Sequence, residues 1–238
     1  MQAQLVPMQR LLPEDRAGMY ALLNQHFVGV RPEVFAADLQ QKNWVLLLKQ
    51  GETLQGFSTL HFYETTFEGE AIAVVYSGDT IVDPAAWTSS TLPKAWIQAI
   101  DSLHRAHPTR KLYWLLICSG FRTYRFLPVF WQEFYPRYDR PTPARAQALL
   151  DQLIAVEAGS DYDPARGIVR FSHPHQLRDR LQGIPVERQN DPHIQFFAQR
   201  NPGHAAGDEL VCLTEIHPDN LTRAGRRVWP VESLCLTA

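Results

Sequence analysis

The chain has 238 residues, 45% hydrophobic and 20% charged, with 23 basic against 25 acidic side chains and a formal net charge of −2. That length and apolar share suffice for a self-sufficient core, and the near balance of charge excludes a protein held on nucleic acid by bulk electrostatics. No apolar run approaches the roughly eighteen residues of a membrane span, and the N-terminus lacks the basic start and long apolar stretch of a signal peptide, so a cytoplasmic protein without a membrane partner is expected.

Leu12-Pro13-Glu14-Asp15, followed by Met19, Leu22, Leu23 and Phe27, predicts an amphipathic helix with acids in its first turn. Arg31-Pro32-Glu33 opens a second helix carrying Val34, Phe35 and Leu39. The period then changes. Trp44 to Lys49, Leu54 to Tyr63 and Ile72 to Val82 read as strands, joined by turns at Gly51-Glu52 and Phe67-Glu68-Gly69-Glu70. Three strands with short turns form an antiparallel meander. Asp83-Pro84 ends it, and Leu92, Trp96, Ile100 and Leu103 stand at helical spacing in a helix from Leu92 to His104.

Leu112 to Cys118 is wholly apolar and predicts a central strand covered on both faces. Thr123 to Tyr135 reads as an aromatic-rich helix stopped by Pro136, with Pro128 tolerable only near its start. Ala144 to Ala158 is a helix with Leu149, Leu150, Leu153 and Ile154 on one stripe, and Gly159 to Asp191 is polar and turn-rich. Ile194–Gln199 and Glu209–Ile216 read as a late strand pair around the turn Asn201-Pro202-Gly203. A helix leading to an apolar strand after a meander implies one crossover into a mixed sheet, an α+β architecture in a single domain over residues 1–238.

Cys118, Cys212 and Cys235 are odd in number and widely spaced, which excludes a disulfide framework, and no Cys-x-x-Cys pair is present. Cys118 and Cys212 lie in apolar runs and read as small buried residues. His173-Pro174-His175 lacks the helical spacing and third ligand of a metal site, so no metal is expected. The chain carries no Gly-x-Ser-x-Gly elbow, phosphate-binding lysine loop or dinucleotide fingerprint. Arg223, Arg226 and Arg227 read as a solvated turn, and no nucleic-acid partner is expected.

The stretch Val74-Val75-Tyr76-Ser77-Gly78-Asp79-Thr80-Ile81-Val82-Asp83-Pro84, within this order of elements, resembles the GNAT superfamily of N-acetyltransferases over residues 10–138. The resemblance implies a mixed, mostly antiparallel sheet flanked by helices, with a helical insertion at about 141–191 and closing strands at about 194–216. It implies acetyl-CoA as acyl donor and a small-molecule amine as acceptor; the oligomeric state, a homodimer included, is left open. The strand would bond the pantetheine arm through Gly78, Ile81, Val82 and Asp83, and the following loop and helix start, Thr88, Ser89, Ser90, Thr91 and Leu92, would receive the pyrophosphate. That loop lacks the family's Arg or Gln and its glycines. A degenerate domain that binds a ligand or protein without transfer is therefore the rival reading.

The residues themselves suggest the rest of the site. Gly78 in a β-branched strand marks a bulge or a close backbone approach. A bulge there would splay the strand from Leu112–Cys118 and open a wedge of main-chain donors and acceptors. Asp79, an acid among apolar neighbours, is the candidate base for an ammonium, or else faces solvent or caps the bulge. Trp131 falls where the family places a proton-donating tyrosine; Tyr124 and Tyr135 lie one helical reach away as substitutes, and Tyr124 is taken as the catalytic candidate. Arg122 and Arg125 would orient an anionic group, or else pair with acids or pack over the aromatic segment.

Overall fold

The computed structural model describes residues 1–86 and 91–229. In chain order its elements are β1 (Gln2–Pro7), α1 (Pro13–His26), β2 (Phe27–Val28), α2 (Pro32–Gln40), β3 (Trp44–Gln50), β4 (Thr53–Phe67), β5 (Glu70–Val82), α3 (Thr91–Ala106) and β6 (Lys111–Cys118). Two short helices follow, α4 (Phe121–Tyr124) and α5 (Phe126–Phe130), then α6 (Ala144–Ala158), β7 (Tyr162–Asp163), β8 (Ile168–Val169), β9 (Gln176–Leu177) and α7 (Asp179–Gln182). The chain closes with α8 (Pro192–Arg200), β10 (Glu209–Ile216) and α9 (Arg223–Val228).

Eight strands form one sheet in the order β1-β3-β4-β5-β6-β10-β8-β7, and β2 pairs with β9 apart from it. The step from β5 to β6 is parallel and carries the crossover helix α3; the other steps are antiparallel. This is the mixed, mostly antiparallel α+β sheet that the sequence implies. The apolar strand β6 has both edges paired, by β5 and β10, and each of its faces is covered by helices, so its alternation is erased.

Leu112, Trp114, Leu116 and Cys118 face one core with α3, α4, α5 and α8, where Trp96 stacks at 4.0 Å on Trp114. Tyr113, Leu115 and Ile117 face another core with the Leu149, Leu150, Leu153 and Ile154 stripe of α6. A third core under α1 and α2 gathers Met19, Leu23, Phe35 and Leu39 on Val45, Leu47, Phe57 and Ile81. One face of the sheet is thus shared between α1–α2 at the β3–β4 end and α6 at the β6–β10 end. A seam lies between them.

Four readings of the sequence are corrected. The helix expected over 123–135 is two short pieces ending at Phe130. Pro128 brings no amide to the ladder, and beyond Phe130 the chain extends because Tyr135 exchanges both backbone bonds with Leu213 at 2.8 Å. The strand expected at Ile194–Gln199 is helix α8: Asp191 accepts from the His193 amide at 2.9 Å, Pro192 opens the first turn, and Ile194 and Phe197 bury together. Among the described residues the expected pairing of 194–199 with 209–216 is absent, and β10 instead lies between β6 and β8. Arg223, Arg226 and Arg227 sit on helix α9, capped by the Thr222 hydroxyl, rather than on a turn. Finally β1, which the sequence reading left unassigned, edges the sheet beside β3.

Candidate functional site

The expected bulge is present. Along the β4–β5 ladder Ser58 pairs with Thr80 and Leu60 with Ser77, so Thr59 alone faces both Gly78 and Asp79. On the other side, the parallel ladder to β6 ends at Ser77–Leu116, while β5 runs on beside β4 to Val82–Gly56. Beyond Ser77 the two central strands therefore diverge. The Trp114 indole donates to the Ser77 hydroxyl at 2.9 Å, pinning the last paired position, and a Ser58–Thr80 hydroxyl pair at 2.7 Å locks β5 to β4 just past the bulge.

The other predicted cofactor residues line the exit of this divergence in different ways. Ile81 is buried under α1, and Val82 packs against the core that holds α3. Asp83 caps the turn at Pro84–Ala86 through the Ala85 amide at 2.9 Å and meets the His26 ring at 3.3 Å. Thr91 begins α3 and Leu92 is buried beneath it. Thr88, Ser89 and Ser90 lie outside the described residues.

Gly78 is glycine for a reason the sequence did not show. A Cβ there would stand 2.7 Å from Lys42 Cε and 2.8 Å from Thr59 Oγ1. Lys42, its side chain 1% exposed, crosses the bulge, places its ammonium 2.6 Å from Asp38 of α2 and lies over the Tyr76 ring at 5.2 Å. The close backbone approach is thus made by a buried lysine. A lysine sealed into apolar surroundings costs several kcal/mol unless it is paired, and Asp38 supplies the pair.

Asp79 projects into the same seam, where His175 meets it at 3.7 Å between Nδ1 and Oδ1. Both side chains are about one-fifth exposed, at 20% and 19%. Glu209, at the start of β10, completes the group: burial pushes its carboxyl up to about 8, with Asp79 and Asp38 adding repulsion. Burial raises Asp38 as well, against the pull of Lys42. His175 is held above its usual range, chiefly by Asp79 and against the effect of burial. Tyr76 beneath them is pushed well up by burial and by Glu209. These groups come from α2, the turn after it, β5, β10 and the 173–182 segment.

That segment is tied down at several points. Gln176 and Leu177 pair with Val28 and Phe27, Arg178 donates to the Gln25 and Asn24 carbonyls at 3.0 and 2.9 Å, and the Phe27 ring stands 6.3 Å from the His175 ring. The Pro174 carbonyl lies so close to Gly29 that a side chain there would stand 2.9 Å from it.

The remaining candidates are engaged elsewhere. Arg125 pairs with Asp191, the cap of α8, at 3.6 Å, and Arg122 donates to the Leu181 carbonyl at 3.3 Å while lying over the Phe121 ring. Tyr124 is buried among Phe134, Phe196 and Phe197; its hydroxyl donates to the Pro136 carbonyl at 3.0 Å, and burial drives its proton affinity up. Trp131 is buried in the same core. Among the described residues no group of three or more His, Cys, Asp or Glu side chains is arranged to hold a metal ion. Sequence reasoning missed Lys42, Asp38, His175 and Glu209 as a group. Asp38 and Lys42 are an i,i+4 pair, but His175 and Glu209 are remote from them along the chain, and only the fold joins all four.

No protein-family model matches the chain, and no curated protein matches it. Several solved structures resemble it in part. A conserved protein of unknown function from Enterococcus faecalis V583 matches with 16% identity and a TM-score of 0.41, over 56% of this chain and 33% of that one. An acyl-CoA N-acyltransferase from Pseudomonas aeruginosa matches with 18% identity and a TM-score of 0.37, over 48% and 77% of the two chains. A GNAT family N-acetyltransferase from Escherichia coli, solved with CoA, matches with 18% identity and a TM-score of 0.38, over 53% and 68%. The chain thus spans a third of the length of the Enterococcus protein.

Proposed function

We propose that this chain is a GNAT-type acyltransferase that moves an acyl group, acetyl in the simplest case, from CoA to the amine of a small molecule. The observation that carries the reading is the ladder that ends at Ser77–Leu116 while β5 continues to Val82. Diverging parallel strands leave main-chain amides and carbonyls facing a wedge, and an extended chain with its own amides completes such a ladder. The 16-residue helix α3 is the next long element after β5, starting at Thr91, and its first amides suit an anion. The described residues suit an acyl-CoA with Gly78 to Val82 along the arm and the start of α3 at Thr91 near the phosphates.

The thioester supplies the activated carbonyl. This chain's own part is to position it and to handle the acceptor's proton. An amine reaches the reaction as an ammonium, so a proton acceptor must stand beside it, and the Asp79 neighbourhood is the proton-handling centre. Asp38 and Asp79 bring carboxylates to the seam, which suits a cationic acceptor, while burial keeps Glu209 protonated up to about pH 8. Arg122 and Arg125 are left out of the reading, since each already has a partner in the fold.

Isothermal titration of acetyl-CoA into the purified chain tests the proposal, with saturable binding expected at micromolar to millimolar concentration. No heat at millimolar acetyl-CoA overturns it. The rival, a domain that binds without transfer, is favoured by the sequence Trp87 to Leu92, which has neither basic residue nor glycine. It predicts binding without thiol release for any added amine.

A further inference from the structure

The acyltransferase-like core supplies an acid at the bulge, but the imidazole facing it comes from outside that core. We propose that His175, carried by the segment between α6 and α8, is the catalytic residue that takes the proton from the acceptor amine, with Asp79 as its positioning partner. The inference rests on the acyltransferase reading and deepens it.

The geometry is the argument. Asp79 Oδ1 faces His175 Nδ1 at 3.7 Å, an arrangement that favours the proton on Nδ1 and leaves the lone pair on Nε2. The imidazole is held by four constraints: the β2–β9 pairing, the Arg178 bonds to the end of α1, the close contact of Pro174 with Gly29, and the close packing of Gly207 against Pro174 and the His175 carbonyl. Gly207 holds φ at +93°, and a Cβ there would lie 2.6 Å from Pro174 Cβ and 3.3 Å from the His175 carbonyl oxygen. Such fixation exceeds what a solvent-facing surface loop needs. It is what a base requires, because its lone pair must meet a proton within hydrogen-bond reach.

The groups acting on His175 are Asp79 from β5, Asp38 from α2 and Glu209 from β10, with Lys42 bonded to Asp38. All three acids favour the imidazolium, so the proton taken up is stabilised after it moves. In the step, Nε2 accepts one proton from the ammonium, and the freed amine nitrogen bonds to the thioester carbonyl carbon. The carbon–sulfur bond then breaks, the attacking nitrogen's second proton passes to the departing thiolate, and His175 returns its proton to solvent. The products are an amide and CoA thiol.

The test uses the full chain, acetyl-CoA, and 1,4-diaminobutane and benzylamine as probe acceptors, read by thiol release, with acetyl-CoA binding measured on every variant. His175→Gln is expected to bind acetyl-CoA like wild type and to lose about 100-fold in kcat. His175→Ala is expected to regain activity with added imidazole, which a purely structural histidine would not permit. Asp79→Asn is expected to move the rising limb of the kcat/KM profile to lower pH, because the group that holds His175 up is gone. The same shift is expected in the His175 imidazole titration followed by NMR. Wild-type turnover in His175→Gln overturns the assignment. Failure to bind acetyl-CoA, or binding without thiol release for either amine, overturns the acyltransferase reading instead.

Discussion

At Gly78 a single missing methyl makes room for a buried ammonium. Gly78→Ala forces a Cβ against Lys42 Cε and Thr59 Oγ1, both of them buried. A loss of about 1–3 kcal/mol is expected, read as a lower urea midpoint at unchanged slope. In a Lys42→Ala background the same substitution is expected to cost clearly less, a coupling that a double-mutant cycle measures. Glu209 makes a second prediction at this scale. Its carboxyl is pushed from 4.5 to about 8 in the folded chain, so between those values the folded state keeps a proton that the unfolded state has released. Stability therefore falls as pH rises through that window. Glu209→Gln cannot ionise, and its melting temperature is expected to exceed that of wild type above pH 8 and to approach it near pH 4.5. Asp79, Gly78 and the bulge were legible in the sequence because an acid and a glycine interrupt a β-branched run. Lys42 and His175 were not, since each is an ordinary polar residue in a turn-rich stretch and gains meaning only from what lies across from it.

Elements were legible where one period ruled and tertiary pairing did not oppose it. Helices α1, α2, α3 and α6 and strands β3 to β6 fall where hydrophobic spacing places them. The region after Thr123 departs because pairing with β10 outweighs an aromatic run's local preference, and α8 departs because Ile194 to Phe197 suits either period. There the decisive signal was Asp191-Pro192, a cap followed by a first-turn proline. Asp191→Ala is expected to cost about 1 kcal/mol by thermal or urea unfolding, since it removes the bond to the His193 amide and the Arg125 ion pair together. The insertion is also clearer at this scale. Its helix α6 covers half of one sheet face, and its return path delivers His175 to the bulge. The helical insertion expected at about 141–191 thus builds a wall of the candidate site.

Across the whole molecule, the sheet is assembled from segments far apart in the chain. β6 acquires its second neighbour only when β10 arrives, with Cys118 opposite Leu210. A ribosome emits the chain in order, so the first five large strands are complete while the most apolar strand still has one edge bare. Bare apolar edges are templates for pairing with other chains. A chain stopped at residue 207 is expected to pellet on centrifugation under conditions that keep the full chain in the supernatant, and adding the 208–229 peptide in trans is expected to reduce the pellet. The strand that carries Glu209 to the site is also the strand that ends the exposure of β6, so the moment at which the candidate site becomes complete coincides with the moment at which the nascent chain stops being sticky.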